Sequence, residues 1–180
     1  MEPEDYDDDD LSKTRKELFP ARHFLPLSLE ICFEGSGFRL FLGSVDDATD
    51  LDRLEINQIT YILNAAAQYV ATTEELYGDR YRCLRMSIED DETYDIGKHM
   101  EAAFGFIEEA RQNGAGILVH CVAGVSRSPT IVIAYLMSYW KWPLKEVARF
   151  VQQKRSQVHP NNGFLKYLLS LDGTLSKSIA

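Results

Sequence analysis

The nine residues His120-Cys121-Val122-Ala123-Gly124-Val125-Ser126-Arg127-Ser128 constrain this chain more than any other stretch. They follow a short apolar run, Gly116-Ile117-Leu118-Val119, that reads as a buried strand. They lead into Pro129 to Met137, whose all-round apolar character reads as a buried helix. A cysteine therefore stands at a strand end, and an arginine stands six residues later where a helix begins. Backbone N–H groups of a tight loop can converge on an anion, and the helix adds its positive N-terminal end. Gly124 permits a backbone conformation that a side chain would resist. Arg127 offers a planar fork for two phosphate oxygens.

The spacing thus reads as a loop wrapped around a phosphate, with Val122, Ala123, Gly124, Val125, Ser126 and Arg127 as its binding positions. Such a field favours the thiolate of Cys121, a nucleophile aimed at phosphorus. Ser128 can hydrogen-bond the sulfur and help it leave. His120 reads as a loop-ordering partner rather than a base, since a thiolate made by the field needs none. Five such fixed positions arise by chance in a chain of this length with a probability on the order of 10⁻⁵.

The rest of the chain supplies a framework for that loop. Leu29 to Phe33, Phe38 to Gly43, Ile59 to Asn64 and Tyr81 to Ile88 read as strands. Asp46 to Gln58 reads as a modest helix capped by Asp46 or Asp47. Ile96, Met100, Ala103, Phe104, Ile107 and Ala110 recur at helical spacing, with Asp95 as a cap and Gly114 just beyond the end. Pro143 opens another helix, Pro160 to Gly163 breaks the chain, and Phe164 to Leu171 reads as a last amphipathic helix. The fold class is α/β: a central mixed, mostly parallel sheet flanked by helices.

Charge and cysteine usage narrow the function. Seven of the 28 acids fall in residues 1–10, so the remaining 170 residues hold 21 acids against 19 bases. Residues 1–25 are expected to form an acidic, disordered tail that could dock on a basic partner, and residues 26–180 the folded domain. A near-neutral body offers no basic stripe for nucleic acid. Cys32, Cys83 and Cys121 are widely spaced and show no metal-binding pattern, which fits a reduced compartment. Cys83 reads as a core residue, with a disulfide to oxidised Cys121 as the alternative. The acidic start does not read as a signal peptide, and the apolar run near residues 129–137 is too short to span a membrane. A cytoplasmic protein is expected, with nuclear entry left open.

The loop resembles the active-site signature of the cysteine-dependent protein tyrosine phosphatase superfamily, and more narrowly its dual-specificity branch. The likeness extends over about residues 27–172, through Arg39-Leu40-Phe41-Leu42-Gly43-Ser44, Ile59-Thr60-Tyr61-Ile62-Leu63-Asn64 and Pro160-Asn161-Asn162-Gly163-Phe164. It implies an aspartate proton donor on a loop about thirty residues before the cysteine. The family pattern sets that acid six residues before the apolar residue opening the next helix, here Ile96, which selects Asp90, with Asp91 as the neighbour to test next. It further implies that Asn161 helps hold the phosphate loop, beside its plain reading as a turn or helix cap.

No Trp-Pro-Asp precedes the acid and the chain is short for a tyrosine-specific domain, so the resemblance is to a small, stand-alone ("atypical") dual-specificity phosphatase. The implied activity is hydrolysis of phosphotyrosine and phosphoserine/phosphothreonine in a phosphoprotein, through a cysteinyl-phosphate and without a metal or cofactor. The uncharged Val122, Ala123 and Val125 favour protein over lipid. Two alternatives stay open: a phosphatase of a phosphoinositide, glycan or RNA 5′-phosphate, and a phospho-binding module with little turnover.

Overall fold

The apolar run before the cysteine is the middle strand of a five-stranded sheet. A computed structural model of the chain describes residues 7–19, 29–32, 37–70 and 74–179. The strands are β1 (Leu29–Cys32), β2 (Arg39–Gly43), β3 (Ile59–Asn64), β4 (Arg82–Arg85) and β5 (Gly116–His120), in the spatial order β1-β2-β5-β3-β4. β2, β5, β3 and β4 run parallel, and β1 pairs antiparallel on the edge beside β2. The expected mixed, mostly parallel α/β sheet is therefore present. Both neighbours of β5 are in register with its last residue: His120 lies opposite Gly43 on one side and Asn64 on the other. Cys121 thus leaves the sheet at its C-terminal edge, where open α/β sheets place their ligands.

Period-two alternation in the strands builds two core layers. Leu40, Leu42, Leu63, Ile117 and Val119 face the larger cluster, which includes Ile107, Ile133, Val147 and Phe164. Phe41, Ile62 and Leu118 face a smaller cluster with Ala48, Leu54 and Tyr77. The helices are α1 (Asp8–Leu18), α2 (Val45–Thr49), α3 (Leu51–Ile56), α4 (Glu74–Tyr77), α5 (Met100–Gln112), α6 (Arg127–Trp140), α7 (Leu144–Lys154) and α8 (Asn162–Ile179). α6 is buried from Arg127 through Met137, because it packs on the sheet and also on α7 and α8. Burying Ile131, Val132, Ile133 and Leu136 is worth on the order of 10 kcal/mol before chain entropy. That gross term is comparable to the net stability of a whole domain, so the helix end that carries Arg127 is firmly anchored.

Several boundaries differ from the pattern reading. The single helix expected over residues 46–58 is two short ones, α2 and α3. Asp50 accepts from the Arg53 N–H and starts α3, while Asp47 accepts from the Ser44 N–H and hydroxyl at the start of α2. β4 ends at Arg85, after which the Met86 N–H donates to Asn64 and Ser87 forms an isolated antiparallel bridge with Ala66. Asp95 accepts from the Gly97 N–H as a cap should, but the first turn is a 3-10 turn and α5 begins at Met100. α8 continues past Leu171 to Ile179. Cys83 is exposed on β4, which corrects its reading as a core residue. No helix among the described residues is long and apolar enough to cross a membrane.

The largest correction concerns the acidic start. Residues 8–18, expected within the disordered tail, form α1, which packs on α8 and α7. The acidic run works locally as a helix start: the Asp7 side chain accepts from the Asp10 N–H, and Asp8 to Asp10 sit at the positive end. Arg15 and Lys16 occupy the last turn, where the dipole favours cations. Leu11 and Phe19 are fully buried, so two apolar anchors suffice where average composition argues for disorder. Residues 1–6 and 20–25 of that tail lie outside the described residues. Leu11→Ala is expected to lower the unfolding free energy by about 2 kcal/mol, measured as a shift of the urea midpoint; an unfolded segment would leave the midpoint where it is.

Candidate active site

The loop between β5 and α6 is shaped from outside. The carbonyl of Val122 accepts from the Val45 N–H (2.9 Å), and that of Val125 from the His159 N–H (2.8 Å). The carbonyl of Gly124 accepts from Arg155 Nε (3.1 Å). The carbonyl of Ala123 accepts from Arg155 Nη2 (3.2 Å) and from Gln157 Nε2 (2.9 Å). In a trans peptide the N–H points opposite to the C=O of the same unit. Four carbonyls drawn outward therefore turn the N–H groups of Ala123, Gly124, Val125 and Ser126 toward the inside of the loop. One is engaged there: the Gly124 N–H donates to Cys121 Sγ at 3.2 Å.

Gly124 has φ +67°, and a Cβ on it would lie 2.6 Å from the Gly43 carbonyl oxygen and 2.6 Å from Arg155 Nη2. Both the backbone conformation and the close approach require glycine there. α6 starts at Arg127 with no side-chain cap from Ser126, so its first N–H groups also face the loop unclaimed by a cap.

Cys121 is buried at the centre, and the Ser128 hydroxyl donates to its sulfur at 3.3 Å. Arg127 is buried, with one Nη donating to the Ile88 carbonyl at 3.3 Å. Its Nε lies 3.5 Å from Asp90 Oδ2 yet has no hydrogen-bond partner among the described residues. A buried guanidinium N–H left open beside a ring of N–H groups is an invitation to an anion. Arg155 is buried too, and burial pulls its proton affinity down against the opposing pull of Asp47 and Cys121. Asp47 Oδ2 lies 3.9 Å from Arg155 Nη1.

Asp90 reaches the same place from the loop after β4. Its Oδ1 accepts from the Ser126 hydroxyl (2.7 Å) and from Asn161 Nδ2 (2.9 Å). Asn161 also donates its own N–H to Ser126 Oγ, and its Oδ1 accepts from the Phe164 N–H as the cap of α8. Asn161 thus caps α8 with its side-chain oxygen, holds Asp90 with its side-chain amide, and touches the loop through its backbone N–H. Asp91 differs: its carboxylate accepts from the Thr93 N–H and hydroxyl, which hold it below its ordinary value. Of the neighbouring acids, Asp90 alone is tied to Ser126 and faces Arg127, while Asp91 closes its own turn.

The cleft above has a volume of about 490 Å³ and is lined by Tyr69, Glu89, Asp90, Asp91, Val122 and Arg127. Pattern reading takes Asp47 only as a possible helix cap and does not single out Tyr69 or Arg155. The last stands in Lys154-Arg155, which reads as an ordinary basic helix end until the fold brings Gly124 to it. Cys83 is remote: it is level with Leu118 through Ile62, two strands and three residues from Cys121. At about 4.8 Å per strand and 3.3 Å per residue, that exceeds the roughly 7 Å a disulfide allows.

His120 is fully buried, and its Nδ1 lies 3.2 Å from the Cys121 carbonyl. Because a carbonyl only accepts, Nδ1 carries the proton, and the buried Nε2 has no partner among the described residues. Burial pushes the imidazole down to about 4, outweighing the Cys121 carbonyl and Asp47, which favour its charge. An unfolded histidine takes up its proton near 6.5, so between there and about 4 the unfolded chain holds one proton more. Stability from this group is therefore complete above pH 6.5 and is lost as the pH falls toward 4. His120→Asn is expected to remove about 2 kcal/mol of the stability difference between pH 7 and pH 4.5, read from urea unfolding at each.

Residues 40–173 match the family described as dual specificity phosphatase, catalytic domain. Human protein phosphatase Slingshot homolog 1 is 37% identical over 139 residues, which are 77% of this chain and 13% of that protein. The chain therefore spans a small part of that relative. A probable dual specificity protein phosphatase of Dictyostelium discoideum is 36% identical over 154 residues, 84% of this chain and 69% of the relative. The crystal structure of DUSP15 superposes with a TM-score of 0.68 at 31% identity, covering 82% of this chain and 95% of that one. The match takes in β2 through most of α8, with every strand end and loop that meets at Cys121, and the chain belongs to the dual specificity phosphatase catalytic-domain family.

Proposed function

We propose that this domain is a protein phosphatase that hydrolyses phosphotyrosine and phosphoserine/phosphothreonine through a cysteinyl-phosphate. The observation that carries the reading is the convergence of Cys121 Sγ, the inward N–H ring, Arg127 and Asp90 on one point. The phosphate dianion takes the loop N–H groups and the Arg127 fork, replacing no protein bond at Arg127 Nε. Cys121 attacks phosphorus as the thiolate, in line with the ester oxygen. The P–O bond breaks as the P–S bond forms, and Asp90 gives its proton to the departing oxygen, which leaves as an alcohol or phenol. Water then attacks phosphorus, its proton passes to the Asp90 carboxylate, and the P–S bond breaks. The Ser128 hydroxyl, already on the sulfur, stabilises the returning thiolate, and inorganic phosphate departs. Ser126 and Asn161 act as positioning residues for Asp90.

A protein substrate is favoured by the cleft's chemistry. Val122 presents an apolar side chain, and Glu89 and Asp91 add negative charge at the rim, which opposes the several phosphates of an inositol lipid. A carboxylate beside Arg127, read here as the proton donor, supports turnover over simple binding. The test is release of phosphate in the presence of chelator from phosphopeptides, a phosphoinositide and an RNA 5′-phosphate side by side. Wild type is expected to favour the phosphopeptides, and Cys121→Ser to lose at least about 10³-fold in kcat. Asp90→Ala is expected to slow poor leaving groups by about 10²-fold or more and activated aryl phosphates much less. Undiminished turnover by Cys121→Ser would sink the mechanism, and equal slowing on all leaving groups would move the acid elsewhere.

A further inference from the structure

Tyr69 stands over the candidate site without a role in the chemistry. It is 61% exposed, so core packing does not account for an aromatic residue there. Its ring covers the Arg127 guanidinium, with 5.6 Å from Cζ to the ring centroid. Its hydroxyl donates to Glu89, the residue before Asp90. The hydrogen bond to the Glu89 carboxylate, with a smaller contribution from desolvation, holds that hydroxyl above its ordinary value against the opposing pull of Arg127, so it remains a proton donor at neutral pH.

The short turn after β3 fixes the ring from beneath. The Ala67 N–H donates to the Met86 carbonyl (3.0 Å) and the Tyr69 N–H to the Ala66 carbonyl (2.9 Å). Gln68 Nε2 donates to the Ile88 carbonyl (2.9 Å), the same carbonyl that accepts from Arg127. The ring is thus built into the frame that carries Asp90, and Val122 lines the same cleft as an exposed apolar surface.

We propose that Tyr69, braced by Glu89, is a specificity-determining wall that makes the domain prefer aryl phosphates, phosphotyrosine over phosphothreonine, in peptides. The inference rests on the phosphopeptide reading above. With phosphate at the floor on Arg127, the next group outward lies beside the Tyr69 ring. An aryl ester puts a flat ring there, between Tyr69 and Val122, and gains stacking together with apolar burial. Its length also carries the peptide backbone clear of Glu89 and Asp91. An alkyl ester has no ring to stack, and its short stem draws the peptide backbone down against the Tyr69 ring and those carboxylates.

The experiment measures binding in the Cys121→Ser background, with two peptides of one sequence carrying phosphotyrosine or phosphothreonine, by fluorescence anisotropy. The phosphotyrosine peptide is expected to bind more tightly. Tyr69→Ala is expected to cut the ratio of the two affinities about five- to tenfold, and Tyr69→Phe, which keeps the ring, to hold it within about threefold. An unchanged ratio in Tyr69→Ala, equal weakening of both peptides, a loss in Tyr69→Phe as large as in Tyr69→Ala, or binding of neither peptide would each overturn the wall. Turnover of the same peptides by the wild-type domain is measured beside it. The expected ratios without turnover would refute the phosphatase reading and leave the role of Tyr69 standing.

Discussion

The outward pull on four consecutive carbonyls, Val122 to Val125, is the interaction on which the rest of the site depends. A loop of inward N–H groups is electrostatically unfavourable when empty, since like dipole ends are held together. It persists only if the opposite ends of the same peptide units are satisfied more strongly elsewhere. Arg155 does much of this, giving charge-assisted bonds to two carbonyls from a buried position. Its own burial is tolerable because Asp47 lies near, held in turn by Ser44 and Arg53. The anion site thus extends, as a chain of polar contacts, from the sulfur to the start of α2.

A second frame holds Asp90, the proposed acid. Ser126 and Asn161 share Asp90 Oδ1, and Asn161 also caps α8. Gly163, at the start of that helix, leaves no room for a Cβ against the Glu92 backbone. The loop bearing Asp90 is therefore seated on α8 as well as on Tyr69 and Gln68. The entropy of bringing acid and sulfur together is met during folding rather than at each binding event.

What could be read in the amino-acid order was local. The strand, the loop and the buried start of α6 occupy one continuous stretch, and the roles of Gly124 and Ser128 follow from spacing within it. The strands of the sheet were legible from β-branched and aromatic alternation, although β4 stops early because its partner strand ends at Asn64. Arg155, Asp47 and Tyr69 were not legible, since each looks ordinary until the tertiary fold supplies its partner. α1 was misread for a related reason. Average composition weighs eleven polar-rich residues together, whereas docking depends on Leu11 and the adjoining Phe19. Asp90 was reached through family spacing, and its separation from Asp91 became physical only through Ser126 and Thr93.

The order of these parts along the chain has a consequence during synthesis. Cys121 and Arg127 are made before Arg155, Gln157, His159 and Asn161, which shape the loop and hold the acid. A ribosome-bound chain that has exposed only as far as α7 carries the thiol without the scaffold that organises an anion site around it. The supports of the loop are thus made after the residues they shape, and on the reading proposed above a partly made chain carries the thiol before its anion site is whole.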